Sequence, residues 1–221
     1  MPELMQLLEQ VGGVIDNSHV VYTSRKHGRA YVNWVAVLRS SEAAWKTSLA
    51  MADVVFAVNS PFDTVAGPTH TGDKVASDLG LALLHRGKAV ARVYAQETDE
   101  EGKRAFPRSQ EEDVRGKRVL VVDDVLTTGG TIRETIEAVR KHDGTPIYVV
   151  IGCNRSDFVG SFDGLPLYEL LRANMEQWDP EDCQACIEQV PMNTSVGHGD
   201  EWVQQYPDPN TWPAFVKASQ V

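Results

Sequence analysis

Apolar positions along this chain switch repeatedly between two spacings, and the alternation predicts an α/β fold. Residues Met1 to Val11 set Leu4, Leu7, Leu8 and Val11 among Glu3 and Glu9, the pattern of an amphipathic helix. Val, Tyr and Trp mixed with Ser, Arg, Lys and Gly over 21–35 predict a hairpin or paired short strands. Ala44, Leu49, Ala52 and Val55 predict a helix over 42–57. Phe62 to Ala66 reads as a short buried strand ending at Gly67-Pro68. A helix follows from about Lys74 to His85 and stops near Gly87. Ala89 to Tyr94 is the next strand. Residues 96–117 are charged, carry Gly and Pro and keep neither period, so they are expected to form a long mobile loop of the kind that serves as a lid. Val119 to Val122 is an unbroken apolar run, as in a parallel strand buried on both faces. Ile132, Ile136 and Val139 predict a helix to about His142, and Ile147 to Ile151 a last core strand. Strand and helix in alternation imply a doubly wound, mainly parallel sheet flanked by helices.

Composition narrows the class only slightly. The chain has 221 residues, 42% of them hydrophobic, which suits one large domain with an appendage. A formal net charge of −10 argues against nucleic-acid binding through a broad basic face. No run of eighteen apolar residues suggests a membrane span, and the first helix carries glutamates where a signal peptide needs a basic start. Three cysteines make an odd count, so reduced thiols in the cytoplasm are expected.

The chemistry concentrates in one run. Residues 119–131 read Val-Leu-Val-Val-Asp-Asp-Val-Leu-Thr-Thr-Gly-Gly-Thr. Asp123 and Asp124 stand where the apolar strand is expected to end, and Thr127-Thr128-Gly129-Gly130-Thr131 opens directly into the helix. A glycine turn at a helix N-terminus is a phosphate site, because free N–H groups and the helix dipole converge on the anion. Ligands of open α/β sheets bind outside the carboxyl ends of the strands. Phosphate donors and two carboxylates therefore fall together, as a phosphorylated sugar requires.

This run resembles the phosphoribosyl pyrophosphate (PRPP) signature of the type I phosphoribosyltransferases. The resemblance implies that Asp123 and Asp124 reach the ribose hydroxyls, while the loop Val125, Leu126, Thr127, Thr128, Gly129, Gly130 and Thr131 cradles the 5-phosphate. It also implies an N-terminal hood, Mg²⁺ bound through PRPP, and a homodimer whose loop reaches the neighbour's site. Three looser blocks narrow the likeness to the orotate phosphoribosyltransferases. Tyr22-Thr23-Ser24-Arg25-Lys26-His27-Gly28-Arg29-Ala30-Tyr31-Val32-Asn33 is similar to their N-terminal segment, whose basic residue, here Lys26, helps hold the base. Ala66-Gly67-Pro68-Thr69-His70-Thr71-Gly72-Asp73-Lys74 resembles their second phosphate loop, with Thr69, His70, Thr71, Gly72 and Lys74 toward the pyrophosphate. Cys153-Asn154-Arg155-Ser156 matches an Asp-Arg pair, with Arg155 at the base and Asn154 where the family carries an acid.

Two departures stand out. The family's mobile loop is basic, whereas Ala95-Gln96-Glu97-Thr98-Asp99-Glu100-Glu101-Gly102 is acidic; Lys103, Arg104 and Arg108 follow, with Lys103 and Arg104 the expected catalytic cations. Thr71 stands where many orotate enzymes place a lysine. The resemblance thus implies phosphoribosyl transfer from PRPP to a nucleobase, with orotate favoured. Uracil or a purine as acceptor, or a non-catalytic PRPP sensor, are the alternatives. The expected division is a phosphoribosyltransferase domain over 1–170 and a C-terminal extension over 171–221, packed on the core or on a dimer mate. In that extension Cys183 and Cys186 form a Cys-x-x-Cys, for which two ordinary thiols are the default reading; half of a zinc site, with Cys153 and His198 as candidates for the remaining ligands, is the alternative.

Overall fold

The computed structural model describes residues 2–22, 24–100, 103–173 and 176–219. Met1, Thr23, Gly102 and the last residues of the expected extension therefore lie outside the described residues. In chain order the elements are α1 (Pro2–Gln10), β1 (Val14–Ile15), β2 (Val20–Val21), β3 (His27–Gly28), β4 (Tyr31–Val32), α2 (Trp34–Arg39), α3 (Ser41–Val58), β5 (Thr64–Pro68), α4 (Gly72–His85), β6 (Ala91–Glu97) and β7 (Arg104–Ala105). A 3₁₀ turn (Arg108–Asp113) leads to β8 (Arg118–Leu126), α5 (Gly130–Lys141), β9 (Thr145–Asn154), β10 (Ser161–Phe162), β11 (Leu165–Arg172), β12 (Gln177–Trp178), α6 (Gln184–Ile187), α7 (Gly199–Gln205) and α8 (Pro213–Ala218). The chain divides into two compact units: Val37–Ala173, the sheet unit, and Met1–Ala36 with Asn174–Val221, the terminal unit.

The sheet unit is built on a seven-stranded sheet of order β10-β11-β9-β8-β5-β6-β7. Its five central strands run parallel, and β7 and β10 add antiparallel edges. After β5 the chain moves to β6 on one side, then returns across β5 to β8, β9 and β11 on the other. The order reverses between β5 and β8, which makes their carboxyl ends the topological switch point. Pairing of β5 with β8 runs from Thr64–Val119 to Ala66–Val121, after which Gly67 and Pro68 pair only with β6. Meanwhile β8 continues alongside β9 as far as Leu126–Asn154. The two strands part just where the aspartates begin.

Val119, Val121, Leu126, Ile132, Ile136, Val149 and Ile151 share one fully buried cluster, so the apolar run and the helix stripe read from sequence do meet. α3 is capped at its start by Ser40, whose Oγ accepts the Ala43 N–H at 3.3 Å, and ends at Asn59 in the left-handed region (φ 50°).

The stretch 96–117 differs from the expected loop. β6 runs on to Glu97 and pairs antiparallel with β7 through Gln96–Ala105 and Glu97–Arg104. Gln110 Oε1 accepts the Tyr94 N–H at 2.8 Å, which ties the 3₁₀ turn back to β6. Arg104, Phe106 and Val114 are buried. They stand too far apart for any period, because each fills a place of its own.

Candidate active site

Where β5 and β8 part, a cleft of about 270 Å³ opens, lined by Pro68 to Gly72, Glu97, Arg104, Asp123, Asp124, Val125 and Thr131. Besides Glu97 of β6 and Arg104 of β7, three elements supply it. The carboxyl end of β8 presents the acidic pair, the turn from β5 into α4 forms one wall, and the start of α5 forms another.

Gly129 precedes α5 with φ 78°, in the left-handed region that favours glycine. A β-carbon there would also lie 2.3 Å from the Phe162 ring. The first N–H groups of α5, as at any helix start, have no intrahelical partners. Thr127 and Thr128 are exposed in the preceding turn, and Thr131 reaches the cleft, whereas Leu126 is wholly buried in the core. On the other wall a β-carbon on Gly67 would sit 2.1 Å from the Gly72 carbonyl oxygen. One on Gly72 would sit 2.6 Å from Asp123 Oδ1. The turn from β5 into α4 is packed closely on itself and against the Asp123 carboxylate, and only glycines permit it. His70 carries φ 88° in the same turn, and its Nε2 lies 3.8 Å from Glu97.

The acidic pair is electrostatically unusual. The strand extends through both aspartates rather than stopping before them, and Asp123 is 6% exposed. Burial first, then the neighbouring Asp124, pushes the Asp123 carboxyl well above the ordinary carboxylate range. Burial likewise raises Asp124, whose N–H donates to Asp123 Oδ1 at 2.9 Å. The cation facing them is Arg104, itself buried. Its guanidinium donates to Glu97 (2.8 Å), Glu134 (3.2 Å), Thr69 Oγ1 (3.2 Å) and the Ala95 carbonyl (3.1 Å).

Other expected residues fall elsewhere. Lys103 pairs with Glu100 and does not line this cleft, and Arg108 is exposed at the start of the 3₁₀ turn. Lys74 is exposed, its ammonium bonded to the His70 carbonyl. Arg155 follows β9, and its N–H donates to the Leu126 carbonyl at 2.8 Å. Asn154 has a complete set of partners: it donates to the Phe158 carbonyl (3.0 Å) and Glu169 (3.2 Å) and accepts from Ser156 N (2.9 Å) and Oγ (2.7 Å). An amide donates as well as accepts, so Asn serves here where a carboxylate would be repelled by Glu169. In the terminal unit Lys26 lies 3.6 Å from Asp179. Sequence reasoning missed Glu97 and Glu134 as partners of Arg104, since β6 and α5 bring them there from 7 and 30 residues away.

The expected zinc ligands need correction. Cys153 lies on β9 in the sheet unit, buried, and Nδ1 of His198 is 2.8 Å from Glu201. Cys183 and Cys186 instead face His19 and His27.

The phosphoribosyl transferase domain family matches residues 36–157, more than half of the chain. An orotate phosphoribosyltransferase of Pelotomaculum thermopropionicum is 30% identical over 190 residues, covering 86% of this chain and 93% of that protein. That of Caldanaerobacter subterraneus is 29% identical, covering 86% and 94%. Among solved structures, the orotate phosphoribosyltransferase of Mycobacterium tuberculosis, in complex with inorganic phosphate, superposes with a TM-score of 0.59 at 22% identity, covering 78% of this chain and 96% of that one. At that identity the likeness speaks for the fold. The sequence matches carry the further conclusion that this chain belongs to the type I phosphoribosyltransferase family and is an orotate phosphoribosyltransferase-like enzyme.

Proposed function

We propose that this enzyme transfers the phosphoribosyl group of PRPP to a nucleobase, with orotate the favoured acceptor, giving orotidine 5′-phosphate and pyrophosphate. The observation that carries the reading is the pair of buried Asp123 and half-buried Asp124 at the switch point, with a glycine turn on either side. Ribose hydroxyls donate to carboxylates, and removing those carboxylates from water without a partner is costly, so the pair is primed for such a ligand. The loop Val125 to Thr131 takes the 5-phosphate through the N–H groups opening α5. Thr69, His70, Thr71 and Gly72, with Lys74 beside them, take the pyrophosphate end, and Arg155, just after β9, takes the base.

Carboxylate oxygens held together around little positive charge suit a hard cation such as Mg²⁺. When bound through PRPP, Mg²⁺ would offset charge gathering on the departing pyrophosphate. Arg104 is the chain's own cation at that point. It is held by two glutamates, Thr69 and a carbonyl, so its charge is in place before the reaction begins. As the bond at ribose C1 breaks, the sugar turns cation-like and the base nitrogen closes on it; no covalent enzyme intermediate is needed. We assign the protein to the cytoplasm as a homodimer, in keeping with three buried cysteines that form no disulfide and with the family.

One feature favours a second reading. Glu97 lines the cleft and engages Arg104, so the site is more acidic than the family's. A PRPP sensor without transferase activity would tolerate that. Loss of orotate absorbance on adding PRPP, compared with uracil and purine acceptors, distinguishes the cases. Turnover with orotate supports the proposal. Turnover only with another base reassigns the acceptor, and PRPP binding without product from any base establishes the sensor.

A further inference from the structure

The terminal unit joins residues near the N-terminus to residues near the C-terminus around a small core of Val21, Cys183, Ala185, Cys186, Trp202, Trp212 and Ala214. At its centre four side chains meet: His19, just before β2, His27 on β3, and Cys183 and Cys186 at the start and within α6. All four are fully buried, and their ligand atoms lie within 4.8 Å of one another.

The contacts have a specific form. His19 Nδ1 lies 2.8 Å from the Val190 carbonyl. A carbonyl only accepts, so Nδ1 carries the proton and Nε2 offers a lone pair. Onto that single lone pair converge His27 Nδ1 at 3.1 Å, Cys183 Sγ at 3.5 Å and Cys186 Sγ at 3.5 Å. One lone pair cannot accept three hydrogen bonds well. Cys186 Sγ also lies 3.3 Å from His27 Nδ1, so the atoms surround a common point rather than form a chain of donors. A tetrahedral zinc with Zn–N of ~2.0–2.1 Å and Zn–S of ~2.3 Å sets two nitrogens about 3.3 Å apart and nitrogen and sulfur about 3.5 Å apart. The observed spacings, 3.1 Å between the nitrogens and 3.3 to 3.5 Å between nitrogen and sulfur, come within about 0.2 Å of both.

We infer that His19 Nε2, His27 Nδ1, Cys183 Sγ and Cys186 Sγ form a structural Zn²⁺ site. Two soft sulfurs and two imidazoles in tetrahedral array select zinc over the hard cations. Two thiolates and one divalent ion sum to zero charge, so the centre can sit among tryptophans: the His27 and Trp202 ring centroids are 4.3 Å apart, those of His19 and Trp212 5.4 Å. The bond from His19 to Val190 fixes the tautomer and orients the ring, as an outer partner of a metal ligand does. With no open coordination position the metal is structural. It clips together segments 159 residues apart in sequence (His27 and Cys186), where closing a long loop by side-chain packing alone is costly in entropy. It also anchors the turn whose Lys26 carbonyl accepts the Tyr22 N–H at 2.8 Å.

The test uses the full chain purified without chelator, with zinc measured by inductively coupled plasma mass spectrometry. About one zinc per chain is expected, falling at least tenfold in the Cys183→Ser, Cys186→Ser double variant. The Asp123→Asn, Asp124→Asn variant should keep its zinc, which separates this centre from the cleft. Adding Co²⁺ to the metal-free wild type should give the visible bands of tetrahedral cobalt and thiolate-to-cobalt charge transfer. That titration decides the matter if the cysteine variant does not fold. Protein made with ample zinc that carries no transition metal and gives no charge-transfer band would overturn the inference. So would a folded double variant that retains the wild-type zinc content.

Discussion

Asp123 and Asp124 bear an electrostatic cost of burial in the cleft. Burial raises both above the ordinary carboxyl value of 3.8. A carboxyl raised on folding weakens the fold as it ionises: the cost is absent below the unfolded value, grows as pH climbs towards the folded value, and is constant above it. Asparagine keeps the shape without the charge. The Asp123→Asn, Asp124→Asn variant is therefore expected to melt at or above the wild-type temperature at neutral pH, with the two curves converging as pH falls towards 3.8. In the same variant PRPP affinity or turnover should fall at least about tenfold, or about 1.4 kcal/mol, the exchange of stability for function common in active sites. Calorimetric melting at several pH values, beside steady-state kinetics, checks both halves. At Arg104 the prediction is kinetic. Arg104→Ala should lower turnover more than it raises the PRPP Michaelis constant, because its charge acts chiefly on the leaving group. Lys103→Ala and Arg108→Ala should stay near wild type. If Arg104 served only to hold the hairpin, its variant would lose thermal stability while the folded fraction kept full turnover.

Elements with one continuous period were legible from sequence, and those built from isolated anchors were not. The helix expected over 42–57 is Ser41–Val58, because its apolar positions repeat within a single stretch and Ser40 and Asn59 punctuate it. The signature strand was legible in its apolar half. Its extension through Asp123 and Asp124 was not, because pairing with β9 overrides the poor strand propensity of aspartate. β11 and its two-residue partner β10 escaped notice: parallel pairing with β9 stabilises β11, and no local pattern announces it. In the 104–114 segment single anchors do the work. Phe106 is buried with its ring 5.5 Å from that of His142, and Phe106→Ala should cost about 3–5 kcal/mol by denaturant unfolding. At the opening of α5, Gly129→Ala combines a left-handed backbone with a clash against Phe162. It should destabilise by about 1–3 kcal/mol and weaken PRPP binding through the 5-phosphate loop.

For the molecule as a whole, the cleft at the switch point was readable because much of its lining is consecutive: Asp123 to Thr131 form one run of chain from β8 into α5. The centre in the terminal unit was half readable. Cys183 and Cys186 signal themselves by proximity, but His19 and His27 have no motif and meet the cysteines only through folding, which is why Cys153 and His198 were the ligands expected. Arg104 was legible as a candidate, and its place in the cleft, where Lys103 and Arg108 are not, needed the β6–β7 pairing. The central claim is that PRPP lies at the parting of β5 and β8, its ribose on the acidic pair and its 5-phosphate on the opening of α5. A crystal structure of the protein grown with PRPP and Mg²⁺ tests this most directly. The account predicts the ribose hydroxyls within hydrogen-bond reach of Asp123 and Asp124, and the 5-phosphate against the backbone N–H groups of Thr127 to Thr131. PRPP bound with its ribose away from both aspartates, or its 5-phosphate on the Thr69 to Gly72 turn instead, would contradict it.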